Sequence, residues 1–179
     1  DFNVYANNTF FSDIVVFKGV NGAPRADVYV VIPNQMLRFE KFGTKFIADI
    51  SVSIRFFDES KKIYADEVVH LSPTTETYET SKSIASEHVA ITKQFEIAPG
   101  NYNVEITLTD NKAKIEAKRS RTASAPDFKS YPFALSGLML VSSVEHINNS
   151  YSITPYLSDN LAPLNEGFFV FFESYNIEK

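Results

Sequence analysis

Three histidines, His70, His88 and His146, are the side chains of this sequence best suited to hold a metal or to move a proton near neutral pH. Glu67 and His70 stand at i and i+3, a spacing that sets two ligands side by side on a helix. The surrounding residues alternate as in a strand, where i and i+3 point to opposite faces, so no metal pair is expected there. His88 falls on the polar parity of its own segment and reads as a solvated side chain. Nucleophilic catalysis finds no Gly-x-Ser-x-Gly elbow, and metalloprotease chemistry no His-Glu-x-x-His. Ser136-Gly137 lies inside an apolar run, where close packing accounts for the glycine. Acidic turns at Asp58-Glu59, Asp66-Glu67 and Asp110-Asn111 offer oxygen ligands for Ca²⁺, but none has EF-hand spacing and turn preference explains Asp and Asn at two of them. The absence of Cys excludes zinc-thiolate sites, disulfides and cysteine nucleophiles together. No catalytic, cofactor-binding or metal-binding residue is therefore expected, and no cofactor.

Composition narrows the partners. With 22 acidic against 17 basic residues the net charge is -5, which argues against a nucleic-acid surface. Lys112, Lys114, Lys118, Arg119 and Arg121 form one basic strand and turn, read as a solvated edge that discourages sheet-to-sheet association. No apolar run reaches the ~18–20 residues that would span a bilayer as a helix. No basic segment leads into an apolar stretch at Asp1, so the chain is read as intracellular or as lacking an already removed signal. Paired aromatics at Phe10-Phe11 and Phe56-Phe57 suggest a sugar platform, although stacking on sugars favours Trp and there is none.

The elements that would carry these residues are strands. Residues 87–110 hold two alternating runs: Val89, Ile91, Phe95 and Ile97 share one parity, and Tyr102, Val104, Ile106 and Leu108 another, with Ala98-Pro99-Gly100 between them. Period two buries one face of each arm and demands a second layer; the pair is expected to be a hairpin. Tyr102, two residues after Pro99-Gly100, resembles a tyrosine corner whose hydroxyl bonds back to the preceding loop, or is an ordinary core tyrosine. A long strand from Phe46 through Phe56 is expected to pack against it. Before these lie a loose lead-in at 1–9, strands near 10–18 and 26–32, the latter apolar on both parities, and a hairpin across Gly43-Thr44. Residues 72–86, rich in Ser and Thr, read as a surface excursion with an edge strand near Tyr78, serving either as a binding loop or as a crossover. Strands recurring every ~10–15 residues with turn signals between them mark an all-β, Ig-like antiparallel sandwich. The expected division is a sandwich at 1–122, a linker at 123–134 and a C-terminal β segment at 135–179, either a packed extension or the start of a second β domain.

One order of signals is familiar. Arg25-Ala26-Asp27-Val28-Tyr29-Val30 leading to Ile32-Pro33, then Leu37-Arg38-Phe39-Glu40, a long strand to Asp58, and Ala98-Pro99-Gly100-Asn101-Tyr102 running to Asp110 resemble the N-terminal β-sandwich region of bacterial GWxTD-domain-containing proteins. Phe169-Val170-Phe171-Phe172-Glu173-Ser174-Tyr175-Asn176 is similar to the strand with which that family opens its next β domain. The naming motif itself is absent, since the chain has no Trp. The resemblance implies an exported protein of the periplasm or cell envelope, its signal peptide removed, and offers no catalytic residues to carry over.

The most interaction-prone stretch is C-terminal. Phe168, Phe169, Phe171, Phe172 and Tyr175 crowd eight residues on both parities, so whichever face meets the sandwich, the other presents rings to a neighbour. The expected function is that of a non-catalytic module acting in protein–protein interaction or assembly, with a protein partner or a neighbouring β domain, a membrane-associated complex being one setting for it. The alternative is a carbohydrate-binding or adhesive module. Pro99, Gly100 and Tyr102 are expected to be structural.

Overall fold

A computed structural model of the chain describes residues 10–82, 88–148, 150–157 and 167–177. Two antiparallel sheets face one another. The first contains β1 (Phe11–Lys18), β2 (Pro24–Pro33) and β8 (His88–Glu96) in the order β1-β2-β8. The second contains β5 (Ile50–Phe57), β6 (Ile63–Leu71), β9 (Gly100–Asp110) and β10 (Ile115–Ala125) in the order β10-β9-β5-β6. Neither closes into a barrel, and the architecture is that of an all-β sandwich.

Alternation decides which side chains meet. Val16, Val28, Val30, Ile32, Ile91 and Phe95 from the first sheet bury against Val52, Ile54, Phe56, Val104, Ile106 and Leu108 from the second. Phe56 is fully buried, its ring centroid 5.0 Å from Phe95 and 6.2 Å from Tyr102. Arg55, on the opposite parity of β5, pairs with Asp66 of β6 at 2.8 Å on the solvent side. A one-residue slip would exchange these two environments.

Residues 87–110 do not form the expected hairpin. His88–Glu96 pairs with β2, whereas Gly100–Asp110 pairs with β5 and β10, so the Pro99 corner carries the chain from one sheet to the other. Both arms still turn their apolar parities inward, but toward each other across the core. Pro99 is exposed, Gly100 opens β9, and the Tyr102 hydroxyl donates to the Ala98 carbonyl at 2.7 Å, tying the corner down.

Other boundaries shift for identifiable reasons. The long strand expected from Phe46 breaks at Ala48-Asp49. β4 (Lys45–Ile47) joins β3 (Glu40–Phe42) and β7 (Thr74–Thr75) in a small separate sheet. The Ala48 N–H turns to the Pro73 carbonyl, and Asp49 is held by Asn111 through its backbone carbonyl at 2.9 Å and its carboxylate at 2.7 Å. Tyr78, expected on an edge strand, opens a one-turn helix, α1 (Tyr78–Ser81), because the Thr77 side chain accepts the Thr80 N–H and caps it. The expected linker begins inside β10: Ala123 and Ala125 are buried, and Phe128 is wholly enclosed in the core. The lead-in at 1–9 and the 72–86 stretch from 83 onward lie outside the described residues.

The C-terminal strands cover the outer face of the first sheet. β12 (Met139–Ile147) runs between β13 (Ser150–Pro155) and β14 (Phe169–Phe171), while β11 (Ala134–Leu135) pairs with β15 (Ser174–Tyr175). Val15, Phe17, Met139 and Val141 form a second buried cluster, with Tyr29, Ile153 and Phe171 packed against it. Gly137 donates its N–H to the Val16 carbonyl at 2.9 Å, and a Cβ there would stand 3.1 Å from Val15 Cγ1. The glycine lets the chain pass this close to β1.

These contacts set an order of costs. Tyr102→Phe is expected to lower unfolding stability by about 1 kcal/mol, through loss of one hydrogen bond in a retained shape. Phe56→Ala should cost about 3–5 kcal/mol. Urea denaturation measures both, and equal midpoint shifts would contradict this account of the corner.

Candidate functional site

The residues with chemical potential are dispersed. His70, His88 and His146 are exposed on β6, β8 and β12, three strands of three different sheets. Among the described residues no group of three or more His, Asp or Glu gathers where a metal could sit. The acidic turns spend their oxygens locally. Asp58 accepts from Ser60, the Lys62 N–H and Tyr64, which holds its carboxyl below the usual range. Asp66 pairs with Arg55, and Asp110 accepts the N–H groups of Lys112 and Ala113. The Ser136 hydroxyl accepts the Glu173 N–H and donates to the Gly137 carbonyl, fastening β15 to β11. The aromatic pairs form no platform: Phe10 and Phe56 are fully buried, and the cations of Arg119 and Lys61 lie over Phe11 and Phe57.

The C-terminal aromatics divide in two. Phe171 turns inward, its ring 6.2 Å from Phe17, and Tyr175 meets Phe128 edge-on at 5.2 Å. Phe168, Phe169 and Phe172 are 59%, 59% and 49% exposed, and Val170 between them is also exposed. The single strand expected at 168–175 is two short ones in separate sheets, because Ser136 takes the Glu173 N–H between them. β14 pairs with β12 on one side and is the terminal strand of its three-stranded sheet.

Under the C-terminal strands lies a polar network on β2. The Asp27 carboxylate, 4% exposed, accepts from Arg25 at 2.7 Å and 3.1 Å and from Gln94 at 3.1 Å. The Arg25 guanidinium also sits 5.4 Å from the centroid of the Phe17 ring. Burial, reinforced by Asp27, pushes the Tyr29 phenol up to about 12. Burial together with donation to Glu173 does the same for Tyr175, also to about 12. This network locks the third layer to the sheet and contains no nucleophile with an adjacent base.

A cleft of about 340 Å³ opens where the start of β1 meets β10 and the C-terminal strands, with Ser12, Asp13, Arg121 and Leu140 among its lining. Sequence reasoning passed over it by treating the basic strand as wholly solvated. A signal was present: Arg119 and Arg121 share the parity of Ile115 and Ala117, the side that faces the other sheet. In the fold Arg119 reaches the rings of Phe10 and Phe11, and Arg121 reaches the Ser12 carbonyl.

The class defined by these features is a β-sandwich with a third β layer and exposed aromatic rings at that layer's edge. No protein-family model matches the chain, and no curated protein matches it either.

Two outcomes follow from the network. A phenol held neutral in the fold contributes stability that is complete below the unfolded value of about 10 and is lost as pH rises toward 12. Denaturant midpoints should therefore fall between about pH 10 and pH 12, and less steeply in Tyr175→Phe. Asp27→Ala, which removes the acceptor shared by the part-exposed Arg25 and the exposed Gln94, should cost about 1–3 kcal/mol by the same measurement.

Proposed function

We propose that the chain is a non-catalytic, Ig-like module that joins a protein partner or a neighbouring β domain through the aromatic edge of its third layer. The observation that carries this is the exposure of Phe168, Phe169, Val170 and Phe172 together on and beside a terminal strand. Burying one such ring is worth a few kcal/mol at ~25 cal/mol per Å², so a short stretch can anchor a specific contact. Aromatic residues are also the side chains enriched at the centres of interfaces.

The Ig-like part of the proposal rests on seven antiparallel strands split into two facing sheets, with a Tyr102 hydroxyl bound back to the corner before its strand. β6 pairs with β5 instead of β8, a variation in strand placement among sandwiches of this architecture. Residence in the cell envelope is supported by the resemblance to the GWxTD-domain-containing proteins. No gathered nucleophile, base and orienter among the described residues favours an enzyme.

The test separates protein contact from glycan contact. A photo-crosslinking residue in place of Phe169 should give discrete protein adducts in the native host. The same residue at Val20, an isolated apolar side chain 94% exposed, should give none. Equal labelling at the two positions, or glycan-array binding that disappears in Phe168→Ser/Phe172→Ser, would overturn the proposal in favour of non-specific stickiness or a carbohydrate module.

A further inference from the structure

The cleft between β1, β10 and the third layer is lined by unlike side chains. Arg121 is its cation. Its Nε and Nη2 stand 3.4 Å from the Ser12 carbonyl, at the outer limit of hydrogen bonding, and no carboxylate among the described residues pairs with it. A guanidinium carries five N–H donors, so several remain for a ligand. Asp13 lines the same cleft without closing an ion pair with Arg121, because its Oδ1 accepts the Ile14 N–H at 2.8 Å. Ser12, 6% exposed, has a buried hydroxyl with no hydrogen-bond partner. Phe11, Leu138, Leu140 and Leu157 add apolar surface to the same lining, beside Tyr156, with Leu138 67% exposed.

We infer that this cleft binds a small monocarboxylate with an apolar body, its head on Arg121 and its tail along Leu138 and Leu140. The planar fork of Arg matches a carboxylate. The Asp13 charge weighs against a dianionic head such as a phosphate monoester. The volume of about 340 Å³ is at the small end of the ~300–1,000 Å³ range of ligand pockets, which suits a short chain and not a polymer.

Titration of the isotopically labelled full chain with hexanoate, followed by amide chemical shifts, tests this. Expected are saturating shifts confined to residues 11–13, 121 and 138–140, with a dissociation constant on the order of millimolar. Hexanol should bind at least about tenfold more weakly, and hexylammonium should leave these amides unmoved. Arg121→Gln should weaken hexanoate at least about tenfold. Because Arg121 also holds β1, Leu138→Glu serves as the second variant: its side chain is exposed, the fold should be unaffected, and the new carboxylate should repel the ligand to a similar extent. Shifts that do not saturate, equal responses to hexylammonium or hexyl phosphate, or undiminished affinity in Leu138→Glu would each overturn the inference.

Discussion

Strands β1 and β2 of the three-stranded sheet carry apolar side chains on both faces, and the rest of the molecule is arranged to cover them twice. Val16, Val28 and Val30 point to the four-stranded sheet, while Val15, Phe17 and Tyr29 point the other way. A sheet with one wet face would need only a sandwich partner. This one also requires the third layer, and Met139, Val141 and Phe171 supply it. The buried charge on the outer face is paired: Asp27 is held by Arg25. The C-terminal segment therefore belongs to the packing of the sandwich, with Tyr175 and Asn176 tied to Lys18 and Phe128 by hydrogen bonds.

Covering faces leaves the edges to be managed, and the chain does so with different devices. On β1, Gly137 occupies the Val16 carbonyl, Asp13 caps the Ile14 N–H and Arg121 reaches the Ser12 carbonyl. On β10, charged residues line the open side, and inward-pointing arginines bridge to β1. Such features discourage pairing with another chain. β13 ends at Pro155, which has no N–H to offer. Among the described residues β14 has no comparable protection, and from Phe168 to Phe172 no side chain is charged. That contrast gives the proposed interface its specificity of place. The cleft beside Arg121 is a by-product of the same edge chemistry, where a guanidinium that satisfies one backbone carbonyl leaves further donors beside apolar side chains.

Legibility differed between fold and site. The burial of Ile50, Val52, Ile54 and Phe56, and of Tyr102, Val104, Ile106 and Leu108, was readable residue by residue from alternation, because a strand offers only two directions. The double burial of β2 was readable from a run apolar at nearly every position, Asp27 excepted. The division of 168–175 into inward Phe171 and Tyr175 and outward Phe168, Phe169 and Phe172 was not, since both parities are aromatic and the pattern carries no phase. Arg119 and Arg121 were legible in parity but not in partner, because what a guanidinium meets across the gap depends on a strand more than 100 positions away.

The amino-acid sequence by itself determined that this protein is built of strands, which side chains of each are buried, and that zinc-thiolate and disulfide chemistry is closed to it. Those are local properties, set by residue type and a period of two. Only the tertiary structure decided that the two arms around Pro99 lie in opposite sheets, that the strand after Phe46 breaks at Ala48-Asp49, and that the last strands return to cover β1. The physical reason is the same in each case. Alternation specifies a face to be buried but not what buries it, and that choice is made by contacts between segments far apart in the chain: Asn111 holding Asp49, Gly137 on Val16 and Phe171 on Phe17.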